Sequence, residues 1–130
     1  MEQEMGTWNG ILIAESLRDP TLINGMAVSR AHITQPVQDS YHSDSPIRWH
    51  LYWVSLTEGE IGQLQSQLEH GWYAHFWNQD QILVLYKDKL FKMNKRSKST
   101  WKPAIEHGLG MGIPKEQLDF PTDDSAGNLS

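Results

Sequence analysis

Gly71-Trp72-Tyr73-Ala74-His75-Phe76-Trp77 sets four aromatic residues and a histidine in seven positions. Side chains of an extended chain point alternately to opposite faces, so as a strand this run has two unlike sides. Trp72, Ala74 and Phe76 form a greasy one. Tyr73, His75 and Trp77 form one that carries hydroxyl, imidazole and indole N–H groups. What precedes and follows the run decides how those two sides are covered.

Upstream, Thr57-Glu58-Gly59-Glu60 has the spacing of a capping box, in which a threonine hydroxyl and a glutamate three residues on satisfy each other's backbone amides. Leu56 and Ile61 suit a hydrophobic staple, and Ile61, Leu64 and Leu68 make one apolar stripe. The helix is expected to stop at His70-Gly71, with Gly71 as a left-handed terminator. Before it, Ile47 to Ser55 alternates Trp49, Leu51 and Trp53 against His50, Tyr52 and Val54, a strand pattern. Gln35 to Pro46 is polar with two prolines and reads as a long loop.

Downstream, Asn78-Gln79-Asp80 marks a turn. Ile82 to Tyr86 is apolar on both faces, the mark of an interior strand. Lys87-Asp88-Lys89 is a second turn, with Asp88 serving turn chemistry, and Leu90 to Met93 follows. A second helix begins near Ser99-Thr100, where Thr100 suits the cap because Pro103 then falls where no intrahelical amide is needed. Gly108 lies inside that helix's apolar arc, which costs propensity and marks room for a bulky sheet side chain. Gly112-Ile113-Pro114 closes the helix, and Leu118-Asp119-Phe120 reads as a short last strand. Towards the N-terminus, Gly10 to Leu17 and Met26 to Thr34 form a strand pair broken by Arg18-Asp19-Pro20.

These elements predict an α+β domain: an antiparallel sheet with two helices on one face, ferredoxin-like (a split βαβ) from about residue 47 and extended by the N-terminal strand pair. Residues 1–7 are expected to be a flexible start, 8–121 the single domain and 122–130 a disordered tail.

Composition narrows the function classes. The chain has 130 residues, 11 basic and 16 acidic side chains, a formal net charge of −5 and no cysteine. Without cysteine there is no disulfide framework, thiolate chemistry or sulfur-ligated zinc. Phosphate backbones are bound by clustered Lys and Arg, so an acidic chain argues against nucleic acid. The acidic start is no secretory leader and no apolar run spans a bilayer, which together with the missing cysteines points to the cytoplasm and away from membranes. The histidines never fall at His-x-His or His-x-x-x-His spacing, and no metal or cofactor is expected.

Trp49-His50-x-Tyr52-Trp53, the Gly71–Trp77 run, Lys87-Asp88-Lys89-x-Phe91, Ser99-Thr100-Trp101-Lys102-Pro103-Ala104 and Gly112-Ile113-Pro114-x-Glu116-Gln117-Leu118-Asp119-Phe120 together resemble a family of small, uncharacterised bacterial and archaeal proteins. The resemblance covers residues 8–17 and about 47–121. It implies a compact cytoplasmic domain and assigns no catalytic residue.

With Trp72, Ala74 and Phe76 under the helices beside Leu51 and Trp53, the opposite face gathers His50, Tyr52, Tyr73, His75 and Trp77. An aromatic patch of that size calls for a cover: the N-terminal strands, a second copy of the chain in a homodimer, or a small-molecule ligand. Stacking of single-stranded RNA is a weaker reading in an acidic chain. The expected function is a small-molecule-binding or protein-interaction domain. The rival is an enzyme with His75 as general acid or base at a pocket near a dimer interface.

Overall fold

Alternating side chains, capped helices and glycine turns resolve into six strands and two helices in the computed structural model, which describes residues 7–38 and 41–120. The strands are β1 (Thr7–Ile13), β2 (Ala27–Ile33), β3 (His50–Thr57), β4 (Tyr73–Trp77), β5 (Gln81–Tyr86) and β6 (Leu90–Asn94); the helices are α1 (Glu58–Leu64) and α2 (Lys102–Gly110). Strand β1 already begins at Thr7; the rest of the expected flexible start and the tail 122–130 lie outside the described residues.

Local chemistry explains the boundaries. The capping box forms: the Thr57 amide donates to Glu60 Oε1 (2.8 Å), and the Glu60 amide donates to Thr57 Oγ1 (3.2 Å). Helix α1 is shorter than its stripe implies. It tightens into a 3₁₀ turn at Gln65–Gln67, and Leu68 bridges to Leu17. Gly71, at φ 89°, therefore serves the turn entering β4 rather than the helix end. The left-handed stop falls instead at Gly112 (φ 92°), where Ile113 N–H reaches back to Gly108 O and Gly112 N–H to Leu109 O, a Schellman closure. Thr100 is not a cap. It lies in a 3₁₀ turn before α2, accepts from the Asn94 amide (2.9 Å) and donates to Ser97 O (2.6 Å).

The sheet is antiparallel throughout, in the order β2-β3-β1-β4-β5-β6. Strand β1 runs between β3 and β4 and antiparallel to both, so β3 and β4 are mutually parallel and α1 is their crossover. The N-terminal pair is thus split. Strand β2 extends one edge, whereas β1 is central and covers nothing. Gly10 makes this insertion possible, because a Cβ there would lie 2.2 Å from the Phe76 ring.

The two helices lie on opposite faces, which corrects the expected single helical layer. Ile61 and Leu64 of α1 pack with Leu12, Val54, Phe76 and Leu83. Trp101 and Ala104, at the start of α2, pack with Ile11, Trp77, Val84 and Tyr86. The physical reason is in β5: Ile82, Val84 and Tyr86 face one way, Leu83 and Leu85 the other, and all five are buried, so each face needs its own layer. The last strand is also absent. After Pro114 the chain makes a 3₁₀ turn at Lys115–Gln117, and Leu118 and Phe120 drop into the core beneath α2, Phe120 at φ 43°. The second half of a ferredoxin-like pattern is therefore not formed among the described residues. No described helix is long and apolar enough to cross a membrane.

Candidate functional site

Register decides which predicted residues meet. Ile11 of β1 stands opposite Trp53 on one side and His75 on the other. Tyr73, His75 and Trp77 therefore share a face with Leu51 and Trp53, the face that α2 covers. His50 and Tyr52 belong to the α1 face. The five expected site residues are split between the two sides of the sheet.

The His50 pair has a structural partner. Glu15, in the turn after β1, accepts from the His50 amide (3.0 Å) and lies 2.6 Å from His50 Nδ1. This fixes the end of β1 to β3. Tyr52 borders a shallow hollow with Pro20, Thr21 and Ile23. Trp77 is buried, stacked on His75 with ring centres 5.4 Å apart.

Tyr73 and His75 line a cavity of about 320 Å³ between the sheet and the segment that follows α2. Ile11, Ile13 and Leu51 form its apolar floor; Ile113, Gln117 and Asp119 come from the covering segment. Trp49, Trp72 and His42 complete the wall. The rings are held firmly: Trp49 meets Trp72 edge-on at 5.2 Å, and His42 stacks on Trp72 at 3.8 Å. His42 Nε2 lies 3.0 Å from Gly71 O, and the Tyr41 hydroxyl donates to Met111 O (2.9 Å). The long loop thereby spans from the start of β4 to the end of α2.

The Tyr73 hydroxyl donates to the Gln117 carbonyl. Burial pushes its pKa well above the ordinary phenol value, and the Asp119 carboxylate and the Tyr86 phenol push it further. Tyr73 is thus a fixed neutral donor, already committed, and not a proton-transfer group near neutrality. His75 is 6% exposed and rings with Tyr73, Trp77 and Phe120 around it. Elsewhere, His107 Nε2 lies 3.0 Å from Asp88 Oδ1, a hydrogen bond that holds the Asp88 carboxyl below its usual range. Asp88 thus ties the β5–β6 turn to α2. Among the described residues no group of three or more His, Asp or Glu side chains is placed to hold a metal ion.

The cavity also draws on Trp72, which the sequence reading placed under the helices on the other face of the strand, and on His42, Trp49, Gln117 and Asp119, which it did not name as site residues. Trp72 and Trp49 carried a signal in the density of tryptophan around the strand. His42, on a polar loop, carried none. The chain matches no family model, no curated protein and no solved structure.

Proposed function

We propose that this chain is a small-molecule-binding domain whose site is the cavity beneath the segment after α2. The supporting observation is the cavity itself. At about 320 Å³ it is of ligand size, and its walls are mostly apolar and aromatic with a few polar groups at fixed positions, the composition of small-molecule sites. The fold supplies rigidity, because Tyr73 and His75 stand on an interior strand and Trp49 and Trp72 brace each other. A preorganised wall loses little on binding.

A fragment screen by ligand-observed NMR tests this. Hits should bind the wild type and lose about tenfold or more in affinity on Trp72→Leu, with His75→Gln altering the same subset, while circular dichroism stays native. Hits indifferent to both variants, or no hits at all, would overturn the reading.

One observation favours a catalytic variant of it. His75 and Asp119 line the same cavity, so an imidazole and a carboxylate border one bound molecule. In that reading His75 is the general acid or base. Turnover of a bound compound that vanishes in His75→Gln, with binding retained, would separate catalysis from binding alone.

A further inference from the structure

The cavity wall carries side-chain charge of one sign. Asp119 is the one acidic side chain among the described residues lining it; no lysine or arginine is there. Asp119 is exposed, which places its carboxylate at the solvent end. Its field reaches inward as far as the Tyr73 phenol. Deeper in, the wall includes the rings of Trp49, Trp72 and Tyr73, with Ile11, Ile13 and Leu51 from the sheet.

Resting on the binding reading above, we propose that the cavity takes a compact organic cation: an amine with an apolar or aromatic body. An ammonium group is attracted to the negative face of an indole ring, and at the mouth it meets the Asp119 carboxylate with no competing side-chain cation. A carboxylate or phosphate ligand would face that same charge unpaired, in a chain whose formal net charge is already −5, and like charges disfavour one another. Tyr73 adds to the discrimination. Its hydroxyl hydrogen is committed to Gln117 O, so it offers a ligand its oxygen lone pairs, which suit an N–H donor rather than an acceptor. His42 and His75 are the other titratable groups in the wall, one at the loop and one on the floor strand.

Three probes of nearly one shape separate charge from shape: 2-phenylethylamine, 2-phenylethanol and phenylacetate. Calorimetric titrations at about pH 8 keep the amine and the acid fully charged. The amine should bind about tenfold more tightly than the alcohol, and phenylacetate should bind weakest. Asp119→Asn should weaken the amine about threefold to fivefold, as an exposed charge pair allows, and leave the alcohol unchanged. Trp72→Leu should weaken the amine and the alcohol alike. If the alcohol or the acid equals or exceeds the amine, the cavity binds ligands but the cation assignment is wrong. An amine preference untouched by Asp119→Asn also overturns the assignment. If none of the three binds, the cation assignment fails, while the binding reading stands or falls on the fragment screen.

Discussion

At Gly108 two effects of known size oppose each other. Alanine favours a helix over glycine by about 1 kcal/mol, but a Cβ at Gly108 would stand 2.7 Å from both the Tyr86 hydroxyl and Leu118 Cδ2. Leu118 has a flexible end. Tyr86 does not yield, because its hydroxyl donates to Ala104 O (2.7 Å) within the buried layer. Gly108→Ala should therefore destabilise by about 1–3 kcal/mol, the usual cost of overpacking. Gly110, two residues on in the same helix, meets nothing within 4 Å, and Gly110→Ala should stabilise by roughly 0.5–1 kcal/mol. Urea unfolding of the two variants checks both signs; a neutral Gly108→Ala would mean that the α2–β5 contact is looser than the geometry states. This close approach was legible in the sequence, because a glycine in the middle of an apolar arc has few other reasons to be there.

Of the two helices, α1 is the one whose start is held by side chains, Thr57 together with Glu60. Thr57→Ala removes the hydroxyl that the Glu60 amide uses and should cost about 1 kcal/mol, read as a lowered thermal midpoint with the same unfolding cooperativity. Thr57→Ser should retain most of it. The capping box was readable because its partners are three residues apart and its chemistry is local. The pairing of faces between strands was not. Whether Leu51 and Trp53 accompany Ala74 or His75 depends on what lies between β3 and β4, and β1 comes there from some forty residues earlier in the chain. A one-residue change of register exchanges every side chain between faces, so an error at that point moved His50 and Tyr52 to the wrong side. The both-sided apolarity of β5 was read as an interior strand, without the second helical layer that it requires.

For the whole molecule, two phenols on the α2 side, those of Tyr73 and Tyr86, are pushed above the ordinary value of 10.0 chiefly by burial. The folded state then keeps protons that the unfolded chain releases above about pH 10, so the stability these groups contribute is complete below that pH and declines as pH rises beyond it. The urea midpoint should fall between about pH 9 and about pH 11, and a Tyr73→Phe, Tyr86→Phe double variant should fall less; equal falls would place both rings in water. At this scale the candidate site was half legible. Tyr73 and His75 were on the page as an aromatic, imidazole-bearing strand face. The roof was not, since His42, Gln117 and Asp119 reach the cavity by tertiary folding of segments that carry no periodicity.

The central position of β1 has a consequence for how the protein is made. This strand leaves the ribosome before either neighbour, yet its two ladders close only when residues 50–57 and then 73–77 have followed. Until then its backbone amides and carbonyls have no lasting partner, and bringing it to β4 closes a loop of more than sixty residues, an entropic demand that favours slow, late assembly. A nascent chain halted before His50 therefore leaves both edges of β1 unpaired, and one halted before Tyr73 still leaves the edge that β4 will take, a ribbon open to mispairing until then.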